Sequence, residues 1–212
     1  MSNLETTFVG LKLKNPLVAA SSGLTGSVDK IIELEQAGIG AVVLKSIFEE
    51  QIYGEVSSML SKDAQNSGYP EAEDYIKGYL RDNTIKKHIE LIENAKKSVK
   101  IPVIASVNCI SGEEWTTFSK DFEDAGADAL ELNIFYLPTN RLEKPGVIEQ
   151  LYIDVLNKVK SGISIPVVVK FGIYHSNIIG MADKLKANGA SGIVMFNRFY
   201  EPDINVDTLE LT

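Results

Sequence analysis

The chain has 212 residues, 44% hydrophobic and 24% charged, enough for one sizeable globular domain or two small ones. Its formal net charge is −8 with no offsetting basic stripe, which argues against nucleic acid as the main partner and gives no reason to bind an anionic membrane. One Cys and two His exclude a disulfide framework and a zinc cluster; no apolar run approaches the ~20 residues that span a bilayer, and Met1 to Glu5 does not read as a signal peptide, so a cytoplasmic protein is expected.

In Thr6 to Asn15, Leu11 and Leu13 alternate with Lys12 and Lys14, the period of a half-exposed strand, and Gly10 supplies a hairpin turn. Pro16 leads into Leu17-Val18-Ala19-Ala20-Ser21, predicted as a first buried strand. Ser22-Gly23-Leu24-Thr25-Gly26 is a glycine-bearing loop. Ser27 is placed to cap a helix from Val28 to Gln36, with Asp29 in its first turn and Ala37-Gly38 as its stop.

A repeat follows. Ala37-Gly38-Ile39-Gly40-Ala41-Val42-Val43-Leu44-Lys45 is echoed by Ala125 to Asn133 and again by Asn188 to Asn197. Each time a helix stops at Gly and an apolar strand finishes in a polar residue. A second pattern interleaves: Lys100-Ile101-Pro102 and Ser164-Ile165-Pro166 both lead into strands with a polar end, Asn108 and Lys170. Ile165 to Gly172 shows it most clearly, three Val between a Pro and a Lys-Phe-Gly finish.

Helices fall between these strands. Asn83 to Lys97 carries Ile85, Ile89 and Ile92; Glu113 to Asp124 carries Trp115, Phe118 and Phe122. Val147 to Val159 carries Ile148, Leu151, Val155 and Val159, and Ile178 to Ala187 carries Ile178, Met181, Ala182 and Leu185. These stripes are core packing. Ser46 to Asp82 and Asn133 to Gly146 are expected to be long loops, the class that carries function or mobility.

Six core strands are therefore expected, at 17–21, 41–46, 103–108, 129–134, 166–171 and 192–197. Alternating strands and helices imply an α/β fold with a parallel sheet. The expected architecture is a (β/α)8 TIM barrel with about six of its eight βα units and a short N-terminal β-hairpin. An open doubly wound sheet is the alternative. Asn108, Asn133, Lys170 and Asn197 at strand ends favour the barrel, in which all such ends converge on one mouth. An incomplete barrel, one domain over 1–212, leaves exposed sheet edges and so favours association, a homodimer being the simplest form.

The expected mouth holds Ser22, Gly23, Lys45, Asn108, Asn133, Lys170 and Asn197, with Glu131 one step inward. Cations and amides of this kind suit a planar ligand with carbonyl oxygens, ring nitrogens and developing negative charge. Cys109 reads as a small buried hydrophobe.

At this point the sequence resembles the dihydroorotate dehydrogenase family of FMN-dependent barrels, oxidoreductases of pyrimidine biosynthesis. The matching pieces are Leu11 to Pro16, Ser21-Ser22-Gly23, Lys45-Ser46, Asn66-Ser67-Gly68-Tyr69-Pro70, Glu131-Leu132-Asn133, Val169-Lys170 and Asn197. The resemblance covers the first two-thirds of a family member. It implies FMN held by Ser22, Gly23, Lys45, Asn108, Asn133 and Lys170, and a dihydroorotate-like substrate held by Asn66, Asn133 and Asn197. In the family a Cys or Ser after the fourth strand removes a proton from C5 while hydride leaves C6 for the flavin. Here the loop reads Asn133-Ile134-Phe135-Tyr136-Leu137-Pro138-Thr139-Asn140, and Tyr136 stands where that base is expected. The predicted catalytic residues are Tyr136 and Lys170, with Thr139 as another base. A barrel that binds a pyrimidine or other small ligand without redox chemistry stays open.

Overall fold

The computed structural model describes residues 4–48, 70–109, 112–136, 141–144, 146–198 and 203–210. It begins with an antiparallel hairpin of β1 (Thr6–Phe8) and β2 (Leu11–Leu13), in which Phe8 faces Leu11. The two-residue turn puts Val9 at φ 47° and Gly10 at φ 89°, the left-handed pair of a tight hairpin. Leu13 is buried and Lys12 exposed, as the alternation predicts.

A parallel sheet follows, built from β3 (Val18–Ala19), β4 (Ala41–Val43), β5 (Ile47–Phe48), β6 (Val103–Asn108), β7 (Ala129–Asn133), β8 (Val167–Phe171) and β9 (Gly192–Met195). Its order is β3-β4-β6-β7-β8-β9, with β5 taking over from β4 beside the far end of β6. Between the strands lie α1 (Val28–Gln36), α2 (Pro70–Ser98), α3 (Gly112–Asp124), α4 (Val147–Lys160) and α5 (Ile178–Ala187).

Apart from the break between β4 and β5, each strand pairs with the next in sequence, and alternation sorts the side chains. Val103, Ala105, Val107, Leu130, Leu132, Val167, Val169 and Phe171 join the helices in one apolar cluster. On the opposite face Val43, Ile104 and Ala129 pack against Phe8, Val9 and Leu11 of the hairpin. A doubly wound sheet would reverse its strand order and carry helices on both faces. Helices on one face and a plugged interior on the other make this the curled wall of a βα barrel.

The sequence repeat has a physical basis. Gly38, Gly126 and Gly189 follow α1, α3 and α5 with φ of 102°, 93° and 89°. In each case the next residue donates its N–H five residues back: Ile39 to Leu34, Ala127 to Phe122 and Ala190 to Leu185. This is the helix stop that a left-handed glycine permits. The Ile-Pro repeat is also explained. Glu35 Oε1 accepts from the N–H groups of Lys100 and Ile101 at 2.7 and 3.1 Å. Glu123 Oε1 accepts from those of Ser164 and Ile165 at 2.7 and 3.2 Å. So a carboxylate near the end of one helix anchors the turn before the next Ile-Pro strand. Lys120 and then Ser164 hold the Glu123 carboxyl down at about 2.

Several expectations are corrected. The first strand spans only Val18–Ala19, and Leu17 is 63% exposed; among the described residues β3 pairs with β4 alone. The second strand is interrupted between β4 and β5. The sixth ends at Met195, 60% exposed on the other edge. The segment 46–82 is helical from Pro70 onward: Pro is favourable at a first helical position, acidic residues suit a helix N-terminus, and Gly78 weakens a helix without breaking it. Leu151 points outward at 37% exposure, while Tyr152, Ile153 and Leu156 carry the buried face of α4. Ser27 precedes α1 but its side chain makes no capping hydrogen bond. Cys109 is buried in the helix-side cluster, as expected.

Candidate active site

The period of two along each strand sets the inner face in layers. Ile104, Ser106 and Asn108 share that face on β6, as do Ala129, Glu131 and Asn133 on β7, and Val168 and Lys170 on β8. Register pairs Ser106 with Glu131 and Asn133 with Lys170. The interior is therefore apolar at the hairpin end, carries Ser106 and Glu131 above that, and finishes in Asn108, Asn133 and Lys170 at the mouth.

A continuous polar network crosses this wall. Ser21 Oγ lies 3.0 Å from Ser46 Oγ and accepts from the Ser46 N–H at 2.9 Å. Ser46 Oγ lies 2.7 Å from Ser106 Oγ, which donates to Glu131 Oε1 at 3.0 Å. Asn133 Nδ2 donates to Ser46 Oγ at 3.3 Å, and Asn197 Nδ2 donates to Asn133 Oδ1 at 2.6 Å. Lys170 Nζ stands 3.9 Å from Glu131 Oε1, an ion pair too long for a hydrogen bond. Residues on or just after β3, β4, β6, β7, β8 and β9 thus meet in one cluster.

Glu131 is the buried charge of this cluster. Burial pushes its carboxyl above the usual range, while the Lys170 ammonium and the Ser106 hydroxyl pull it back. Its side chain is 4% exposed and that of Lys170 12%. Lys170 therefore reaches the mouth with a counter-charge beneath it.

The other expected residues divide. Ser22 caps a 3-10 turn (Gly23–Thr25), accepting from the Leu24 N–H at 3.2 Å, and Gly23 is exposed on the same turn. Lys45 is exposed, with its stem against Gly26. Asn108 ends β6, half-buried. Asn66 and Thr139 lie outside the described residues. Tyr136 is 36% exposed, and its hydroxyl donates to Glu143 at 2.7 Å; that bond, then burial, raises its pKa above the usual phenol value. Tyr152 fixes the start of the same loop, its hydroxyl donating to the Ile134 carbonyl at 2.9 Å.

Ser106 was missed as a site residue. Its signal was a single hydroxyl in an otherwise apolar strand, on the parity that leads to Asn108. Among the described residues no group of three or more His, Cys, Asp or Glu could hold a metal, and no helix is long and apolar enough to cross a membrane.

Sequentially ordered parallel strands with a polar mouth at their C-terminal ends define a βα-barrel protein. Solved structures share this fold: a phosphonopyruvate hydrolase at TM-score 0.51 and 14% identity, covering 86% of this chain and 58% of that one. A dihydrodipicolinate synthase from Agrobacterium tumefaciens matches at TM-score 0.52 and 16% identity, covering 84% and 54%. The dihydroorotate dehydrogenase family matches residues 3–210, and the chain belongs to that family. Among curated relatives, the catalytic subunit of dihydroorotate dehydrogenase B (NAD(+)) from Thermoplasma volcanium is 32% identical over 208 residues. The protein of that name from Thermoplasma acidophilum is 32% identical over 202 residues. The match covers 93% of this chain in both, but 62% and 63% of the relatives, so the chain spans less than two thirds of their length.

Proposed function

We propose that this chain forms the flavin- and substrate-holding mouth of an FMN-dependent oxidoreductase that oxidises a dihydroorotate-like CH–CH substrate. Family membership supports the reaction class. The observation that carries the reading is the network joining Ser46, Ser106, Glu131, Asn133, Lys170 and Asn197 across successive strand ends. Its donor set fits the group: amide N–H groups and one ammonium, balanced by a single buried carboxylate, suit a planar ring system rich in carbonyls and ring nitrogens.

Ser22, Gly23, Lys45, Asn108, Asn133 and Lys170 are the residues that would hold FMN, which supplies the hydride acceptor when bound. Lys170 would stabilise negative charge that develops at the mouth. Asn133 and Asn197, already hydrogen-bonded to each other, would orient the pyrimidine, with Asn66 as a third contact. The base is not placed on Tyr136. A phenol that donates to a carboxylate stays protonated near neutrality and is a poorer proton acceptor than a Cys, whose reference value is about 8.5. The relatives are named as catalytic subunits, and a partner subunit fits the same reading.

The visible spectrum of the purified protein tests the proposal, followed by FMN titration and anaerobic addition of dihydroorotate. Flavin bands that bleach on addition are expected. A colourless protein that takes up no FMN would overturn the flavin reading. Bands that persist with dihydroorotate present would remove the substrate assignment.

A further inference from the structure

Glu131 is a buried charge that the reading above leaves without a task. It stands mid-strand between Leu130 and Leu132, 3% exposed, where an isolated carboxylate is costly. We propose that Glu131 is a positioning residue: it fixes the Lys170 ammonium at the mouth and sets the charge that the mouth presents to a planar anionic ligand. This role presupposes the function proposed above.

Three features support it. First, the carboxylate is itself held. Ser106 donates to Oε1 at 3.0 Å, and Ser46 stands 2.7 Å behind Ser106. Second, Ser46 also accepts from Asn133 at 3.3 Å, so one hydroxyl links the carboxylate to a mouth amide proposed to hold ligand. Third, Lys170 Nζ lies 3.9 Å from Oε1. That distance attracts the ammonium without using up its donors, which stay available to a ligand. A Lys stem without such a partner would sample several rotamers.

The pair also sets a charge. With Glu131 ionised, the two groups cancel; with Glu131 protonated, the mouth carries the whole ammonium charge. Burial favours the protonated form and Lys170 the ionised one. Around the carboxylate, β6 contributes the neutral Ser106, β8 contributes Lys170, and β7 itself contributes Asn133. On the β4 side the neutral Ser46 stands behind Ser106, while Lys45 is exposed and lies along Gly26. Lys170 is thus the one charged group found facing Glu131 among the described residues. Affinity for an anionic pyrimidine should rise as pH falls and Glu131 takes up its proton.

Two readouts test this on the purified protein, with Glu131→Gln and the milder Ser106→Ala. The first needs no ligand: the rate at which an acylating reagent labels Lys170, read by peptide mass spectrometry with Lys45 as the control in the same digest. Glu131→Gln should raise Lys170 labelling several-fold, Ser106→Ala by less, and Lys45 should not change. Equal Lys170 rates in all three proteins overturn the positioning role. The second is orotate titration from about pH 5, just above the ordinary carboxylate value of 4.5, up to about pH 8, because burial raises Glu131 above that value. Wild type should bind more tightly at the lower pH, while Glu131→Gln should bind about tenfold more tightly than wild type at the upper pH with little pH dependence. A wild-type affinity with no pH dependence overturns the charge-setting role. Labelling that responds to Glu131→Gln in a protein that binds neither FMN nor orotate would defeat the function proposed above, yet uphold the hold of Glu131 on Lys170.

Discussion

Lys170→Met separates what the buried pair does for stability from what it does for binding. Met keeps much of the apolar stem and removes the ammonium. Glu131 then sits in the barrel interior without its counter-charge. At an effective dielectric of about 20, unit charges 3.9 Å apart attract by about 4 kcal/mol. The carboxyl can avoid that loss by taking up a proton. From an ordinary value of 4.5, protonation at pH 7 costs about 3.4 kcal/mol, and at pH 5 about 0.7 kcal/mol. These costs cap the damage. A raised carboxyl pKa means that the folded state binds the proton more tightly than the unfolded chain, so stability falls as pH rises from 4.5 through the folded value. Urea unfolding of Lys170→Met should therefore show a loss of up to about 3 kcal/mol at pH 7 and under about 1 kcal/mol at pH 5. Adding Glu131→Gln should restore most of the stability at pH 7, because a neutral pair replaces a broken one. It should not restore FMN binding. A loss of equal size at both pH values, or a double variant no more stable than the single one, would refute the reasoning.

Three further outcomes are expected. His88 has a buried Nε2 with no hydrogen-bond partner among the described residues and packs its ring 4.9 Å from that of Phe122; burial lowers its pKa from 6.5 to about 4. The depressed value contributes stability above 6.5 that is lost as pH falls toward 4, at most about 3 kcal/mol, so His88→Leu should flatten the urea midpoint across that window; an unchanged slope would count against it. A Cβ on Gly40 would lie 2.1 Å from the Asn15 carbonyl oxygen, a backbone atom, so Gly40→Ala should cost about 1–3 kcal/mol or more by thermal unfolding; a wild-type midpoint would show that the two segments separate freely. Tyr136→Phe should leave FMN affinity unchanged and dihydroorotate turnover within about threefold, whereas a loss of about a hundredfold would return the base to Tyr136.

Much of the scaffold was legible because its signals are local. A helix stop needs a residue that tolerates positive φ, and Gly38, Gly126 and Gly189 stand at the start of the three repeats, where the helices end. Three inner strands were placed almost to the residue because short apolar runs between a Pro or Gly turn signal and a polar end leave little choice. The edges were not legible. Leu17 and Val18 are as apolar as any core pair, yet both are exposed beside β3, whose pairing among the described residues is with β4. The helical start at Pro70 was hidden by Gly and Tyr residues that read as loop signals.

By itself the sequence determined the alternating elements, the parity of each strand and the polar residues that finish them. Only the tertiary structure decided which of those residues meet. Ser46 and Ser106 are 60 positions apart, Asn133 and Asn197 are 64, and Asn133 and Ser46 are 87. Local propensity contains no information about such distances. Strand register and the curl of the sheet fix them, because a slip of one residue would turn Ser106 or Glu131 out to the helices and break the network.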